Sequence, residues 1–496
     1  MRKNIVYVII FIIICMVLPL TGCASSEVFV EGPVILPTIN DKPVMTVTEK
    51  IELIDGGPVS GGTLTLVTEP IDSMNPFTTT NKYVNYISCF IYESLFTQLS
   101  DSSYKKYLVA DFSNENFKVF SFTLNDGVKF HDGSELTSYD VRFTLREMEK
   151  YASSFYKTDI IENIVDFNII SSSKFEITLK EPDKEFIKKL TFPILSQTHE
   201  QEQDINGTGP YSFRSISDIE LKLVKNDDWW YSNTYFDNVV FKICNEDEML
   251  DAFQDNIVDI AFVKNVNFSK YQYRTDIDYR VFPSGEANYL YVNPNSIFGQ
   301  ANRQSTLFSY VANSLHDLNL GQVQYFEQYI SSSIDIDGFR SELIESGFIY
   351  NEKNNEFTYN RKPLGVVSIA VPYQDIPKLH TANFIVNILG DAGITAEIVT
   401  INKKYFSSEI HSGKYDLSPI SEDFKPWESL DENLERIQQD FRYGRDNAFI
   451  LPLYRNQQAV LFKNDIRGEK TSNYWNPYQG FHSWYRPGIE EGKVKK

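Results

Sequence analysis

Two stretches far apart in the chain follow one order of elements, and that order restricts the fold more than composition does. Val239 to Ile243 reads as a strand, Asp247 to Asp255 as a helix with Leu250 and Phe253 inward, and Ile257 to Phe262 as a second strand. Asn256 closes the helix, a residue that tolerates the left-handed cap almost as glycine does. Ala396 to Ile401, Lys404 to Ile410, Gly413 and Tyr415 to Leu417 repeat strand, short helix, stop and strand. A crossover of this kind is right-handed and builds a parallel sheet. Two such units predict an α/β chain with two lobes.

A denser set of signals runs from Phe120 to Arg146. Phe120, Phe122 and Leu124 alternate with Ser121 and Thr123, the period of a half-buried strand. Asn125-Asp126-Gly127 and Asp132-Gly133 each turn the chain. Thr137 precedes Asp140 by three residues, so its hydroxyl can accept from an orphan N–H while the carboxylate sits in the positive first turn of a helix. Val141, Leu145 and Met148 then share one helical face. His131 and Asp132 form no recognisable metal or catalytic set, and a turn-fixing role is expected for them.

This strand, turn, turn and capped helix resembles the signature of the extracytoplasmic solute-binding proteins of family 5, which feed peptides, and in some members nickel complexes, to ABC importers. Phe122, Leu124, Gly127, Val128, Phe130 to Gly133, Leu136, Thr137, Asp140, Val141 and Phe143 carry the likeness. Asp72 to Phe77, Tyr92-Glu93-Ser94-Leu95-Phe96, Gly207-Thr208-Gly209-Pro210-Tyr211, Asn226-Asp227-Asp228-Trp229-Trp230, Arg303-Gln304 and Ile450 to Tyr454 extend it. The resemblance implies a periplasmic-binding-protein-like two-lobed α/β fold (type II, cluster C) with an extra small α+β subdomain in the first lobe. On that plan residues 61–97 and 181–288 build the first lobe around a subdomain at 98–180. Residues 289–458 form the second lobe, and 459–496 return to the first. It also implies a monomer that works with an ABC permease and its ATPase, and no cofactor.

The amino terminus sets the expected compartment. Arg2 and Lys3 precede an apolar run from Ile5 to Leu18, short of the ~20 residues that span a bilayer, so residues 1–22 read as a signal peptide. Leu20-Thr21-Gly22-Cys23 resembles a bacterial lipobox, with Cys23 as the lipidation site for a diacylglycerol and palmitate-type acyl anchor. Two acyl chains at about 0.8 kcal/mol per buried CH₂ hold a protein stably to a membrane. The competing reading is an uncleaved transmembrane anchor. Residues 23–60, rich in Ser, Thr, Glu and scattered proline, are expected as a flexible tether that lifts the body off the outer face of the membrane. Cys89 and Cys244 remain in the body, as two free thiols or one disulfide.

The net charge of −20 argues against a nucleic-acid partner, because phosphate neutralisation needs clustered Lys and Arg. Enzyme constellations are missing too. No serine sits in a Gly-x-Ser-x-Gly elbow, and the six histidines stand singly. Asp335-Ile336-Asp337-Gly338 fails as a calcium loop, since Ser333 and Ile344 would occupy the first and twelfth positions; a turn or helix entry is expected. A cleft between lobes is lined by strand ends and lobe-crossing segments, which points to Thr68 and Glu69 after the first strand, Glu286, Tyr289 and Asn293 at the first crossing, and the loop after Leu417 with Glu422 and Asp423. In peptide-binding relatives an acid near that last place pairs the peptide α-amino group, whereas this chain is contracted there. Two functions follow as expectations: capture of a short peptide or similar small solute by hinge closure for import, or a non-transporting surface sensor or scaffold that keeps the fold.

Overall fold

Thr63–Thr68 carries Leu64, Leu66 and Val67 inward, and this strand organises the first lobe. In the computed structural model the described residues are 55–99, 103–151, 156, 160–198, 205–264, 271, 273–318, 323–326, 333–424, 430–440 and 450–489. The signal peptide, Cys23 and most of the tether lie outside them. Thr63–Thr68 pairs in parallel with Asn238–Ile243, which continues antiparallel through Glu220–Lys225 to Tyr211–Ile216. Lys82–Ile91 is a helix on this sheet, capped by the Asn81 carboxamide, which accepts from Tyr83 N–H at 2.9 Å. Among the described residues no helix is long and apolar enough to cross a membrane.

The subdomain is a four-stranded antiparallel sheet in the order 109–115, 119–124, 174–179, 164–169, with the helix Ser138–Lys150 beside it. Alternation in Phe120-Ser-Phe-Thr-Leu becomes burial of Phe120, Phe122 and Leu124. Phe122 stacks on Phe175, its cross-strand partner, at 5.1 Å between ring centroids. Thr137 and Asp140 form the expected box, with one detail changed: Thr137 N–H and hydroxyl both donate to Asp140 Oδ2, at 2.8 and 2.7 Å. Asp140 Oδ1 accepts from Gln197 N–H at 2.8 Å, so the cap also ties the helix to a segment 57 residues further along the chain.

His131 is a staple. Its Nδ1 accepts from Gly207 N–H at 3.3 Å, which leaves Nε2–H to donate to Gly209 O at 2.9 Å. Burial pushes its pKa down, in keeping with a neutral ring. A Cβ at Gly207 would stand 2.0 Å from Ile91 O, so the glycine is there because two backbones touch. Asn226 Nδ2 donates to Gly209 O at 3.1 Å, and the indoles of Trp229 and Trp230 donate to the two oxygens of Glu93 at 2.9 and 2.8 Å. Four motifs recognised separately in the sequence thus hold one another.

The two strand–helix–strand units differ from expectation in one respect. Ala396–Ile401 and Leu417–Asp423 flank Val367–Pro372 in one sheet, parallel throughout, so the later unit is a true crossover. The earlier one is split: Asn238–Ile243 lies in the four-stranded sheet, and Ile260–Lys264 in the seven-stranded one beside Ile450–Lys463. Asp259 makes the break. Its Oδ2 accepts from Thr65 N–H and hydroxyl at 2.9 and 2.7 Å, so a carboxylate occupies a place where a neighbouring strand would bond. Asp259 Oδ1 meets Arg486 at 2.7 Å, which compensates the buried charge. Asp55–Val59, expected within the tether, is a strand paired with Arg486–Ile489. Its Gly-Gly-Pro composition hides any alternation, and the pairing is set from the far end of the chain.

Buried side chains separate into clusters. The largest holds Leu66, Phe90, Phe122 and Phe241 with Val460, Phe462 and Trp484; a second holds Leu290, Leu307, Phe339, Ile369 and Leu389 with Leu453. The strands Ile277–Val292 and Ile450–Lys463 run through both. Their mutual register shifts between Pro283 and Ala287 and again between Asn288 and Tyr289, at the place where one core gives way to the other. Bulges there interrupt the ladder and bend the strands. Cys89 and Cys244 are free thiols.

Candidate functional site

Where the crossing strands shift register, a cavity of about 590 Å³ opens, lined from the first lobe, the crossing strands and the end of Leu417–Asp423. The first lobe supplies Glu69 and Asp72 beyond the first strand, Asn81 and Lys82 at a helix start, and Asn85 and Tyr86 one turn on. The crossings supply Gly285, Glu286 and Gln458, the second lobe Asp423 and Phe424, and the C-terminal segment Tyr474. A Cβ at Gly285 would come 2.9 Å from the Tyr474 ring, so this bulge position keeps the wall in place only without a side chain.

Carboxylates dominate the lining. Asp72 is already saturated: its oxygens accept from Ser73 N–H at 2.8 Å, Thr80 N–H at 2.7 Å, and the Thr79 and Thr80 hydroxyls. Burial opposes its charge, but those bonds outweigh it and hold the carboxyl below its usual range. Glu286 stands opposite Asp423 in the antiparallel ladder. Burial, then the Asp423 charge, pushes the Glu286 pKa up. Burial likewise raises Glu69, with Lys264 pulling it down and Glu246 pushing it up. Lys264 is itself engaged, donating to Glu246 at 2.5 Å. Arg455 beneath the wall donates its Nε to Ser284 O at 3.0 Å and lies 4.3 Å over the Phe424 ring, turned to the backbone. Four carboxylates against Lys82 leave the site with an excess of negative charge for whatever enters.

Of the residues singled out in the sequence, the cavity brings together Glu69, Glu286 and Asp423. Thr68 is buried in the strand, its hydroxyl on Glu69 O at 3.3 Å. Tyr289 is buried with its hydroxyl bonded to Asn433. Asn293 anchors the second lobe from within, donating to Gly413 O and Tyr415 O at 2.8 and 2.7 Å. Glu422 pairs with Arg436 at 3.6 Å, because neighbouring strand residues point to opposite faces. The expected loop after Leu417 is a strand to Asp423. The cavity also takes in Asp72, Asn81, Lys82, Asn85, Tyr86, Gln458 and Tyr474, for which the sequence carries only the family-like turn at Asp72 to Phe77 and the Asn81 cap ahead of an apolar periodic run as local signals. Among the described residues no group of three or more His, Cys, Asp or Glu is arranged to hold a metal ion.

Residues 103–322 match the profile of the bacterial extracellular solute-binding proteins, family 5 (middle region). The glutathione-binding protein GsiB of Salmonella typhi is 23% identical over 163 residues, 31% of this chain and 32% of that protein, so the match spans about a third of its length. NikA from Brucella suis, solved in complex with Fe(III)-EDTA, superposes with a TM-score of 0.70 over 86% of this chain and 100% of its own, at 14% identity. The oligopeptide-binding protein AppA from Bacillus subtilis, solved with a nonapeptide, gives 0.61 over 87% and 100%, at 15% identity. The chain has the two-lobed α/β fold of these solute-binding proteins.

Proposed function

From the premise of a family 5 solute-binding fold, we propose that the chain captures a small solute with a free amine, a short peptide above all, between its lobes and hands it to an ABC permease. The observation that carries this reading is the Glu286–Asp423 pair, two carboxylates facing each other across strands at the lobe junction. Like charges directly opposite destabilise a sheet, and an ammonium placed between them turns the repulsion into two charge-assisted hydrogen bonds. Glu69 extends the same field toward the first lobe. An anionic chelate such as the one bound in the Brucella protein would meet four carboxylates and one lysine here, the wrong sign of field.

Ligand contacts from both lobes favour the closed state, with bending at the register shifts in 283–289. Main-chain pairing with an exposed strand edge would hold a peptide irrespective of side chains. Anchoring through Cys23 keeps the body beside the permease. Small-angle scattering with and without a saturating tripeptide tests the reading: the radius of gyration should fall on binding, and an unchanged radius with a peptide that demonstrably binds would exclude closure. A protein that stays empty against a broad peptide library would instead favour a surface sensor or scaffold.

A further inference from the structure

A second cavity, of about 440 Å³, lies in the first lobe, and Asn85 lines both it and the acidic one. The wall is shared in a second place, since Tyr474 faces the acidic cavity and its neighbour Trp475 faces this one. Its chemistry differs. Glu93 on its wall is held by the indoles of Trp229 and Trp230, and the remaining charges that line it are Lys105 and Glu469, both exposed.

Three polar atoms here are buried and have no protein partner: Gln98 Oε1, Asn85 Oδ1 and Trp475 Nε1. Gln98 and Asn85 are each only 7% exposed. A buried amide or indole left without a hydrogen bond loses its hydration with nothing in return, so three in one cavity mark a place shaped for a polar occupant. That occupant must offer donors to two amide groups and an acceptor to an indole N–H, and must carry no net charge. A primary carboxamide has two N–H donors and one carbonyl acceptor, and it matches an amide side chain whichever way that side chain is turned.

We propose that this cavity is a second compartment of the ligand site, which takes a carboxamide side chain of the solute whose amine lies between Glu286 and Asp423. The inference rests on the amine-binding reading above and adds a selectivity to it: glutamine or asparagine in the peptide, next to its amino-terminal residue or one further on. Neither aspartate nor glutamate replaces it, because a carboxylate brings no donor for Gln98 and Asn85. Methionine, similar in shape to glutamine, leaves all three polar atoms unsatisfied.

Titration calorimetry at pH 7 with the tripeptides Ala-Gln-Ala, Ala-Ala-Gln, Ala-Met-Ala and Ala-Ala-Met tests this on the full protein, on Gln98→Met and on Trp475→Phe. The wild type should bind the glutamine peptide of one pair about tenfold more tightly than its methionine counterpart. In both variants that ratio should fall to within about twofold, and because the ratio is taken on a single preparation, partial loss of folded protein does not move it. Equal affinities in the wild type would mean that water alone fills the cavity, and would overturn the compartment while leaving amine capture standing. A ratio that survives both substitutions would overturn the assignment of these residues. If none of the four tripeptides binds, the amine-binding reading falls and the compartment with it.

Discussion

Replacing Glu286 by glutamine removes one of the two carboxylates that face each other at the lobe junction, with little change of shape. Burial and Asp423 both disfavour the Glu286 charge. A carboxyl whose pKa is raised by folding contributes stability that is present below the unfolded value and lost as pH rises through the folded one. At neutral pH the wild type therefore carries a penalty that glutamine lacks. Like charges opposite each other in a sheet cost up to ~1 kcal/mol, so the unliganded variant should gain about that much, a rise in Tm of ~2 °C for a body this large. The same change should weaken an amine-bearing peptide, since a hydrogen bond to a charged group is worth ~1.5–3 kcal/mol. That corresponds to about 10–100-fold in Kd. Thermal unfolding without peptide and calorimetry with it read the two effects. Below the ordinary carboxylate range the stability difference should vanish, because Glu286 is then protonated. A variant less stable than the wild type, with unchanged affinity, would refute the reasoning.

Gly207→Ala places a methyl 2.0 Å from Ile91 O and should cost about 3 kcal/mol; chemical denaturation with a loss under 0.5 kcal/mol would count against the backbone contact. His131 is held neutral by burial between two glycine backbones, so its contribution is complete above the unfolded pKa of about 6.5 and lost as pH falls through the depressed folded value. Accordingly, the decline in Tm from pH 7 to pH 5 should be shallower in His131→Asn; parallel curves would contradict the staple. Asp259→Asn removes the carboxylate that meets Arg486 at 2.7 Å while Arg486 keeps Asp465 at 3.0 Å, and should destabilise by ~2 kcal/mol, measured in urea, with an effect below 0.5 kcal/mol as the contrary result. Cys23→Ala should leave the precursor unlipidated, read by mass; normal processing with membrane retention would refute lipidation.

Local chemistry made much of the fold legible. The Phe120 to Met148 run needed only alternation, turn residues and a cap, and the structure follows it closely. The Asn256 cap has φ of 60°, as its residue type suggests. Asp335 enters a helix by accepting from Gly338 N–H at 2.8 Å, as expected once the calcium loop failed. What stayed hidden depends on partners distant in sequence. Asp259 splits a crossover through Thr65, and Asp55–Val59 pairs with the C-terminal segment. The cavity shows the same limit. Strand-end logic reached Glu69, Glu286 and Asp423, but placed Glu422 with them because the switch from loop to strand after Leu417, which sends alternate side chains to opposite faces, has no marker in Ser-Pro-Ile-Ser-Glu-Asp. Asn293 was chosen for its position at a lobe crossing, and its backbone-anchoring bonds to Gly413 and Tyr415 come from a loop more than a hundred residues on.

On the proposed reading, a ligand ammonium is held by the carboxylates between the lobes. Calorimetry of one tightly binding tripeptide against its N-acetylated form tests it most directly, because acetylation removes the charge and leaves the rest of the ligand intact. A loss of about 10–100-fold is predicted, the scale of a hydrogen bond to a charged group. Affinities within twofold of each other would contradict the account.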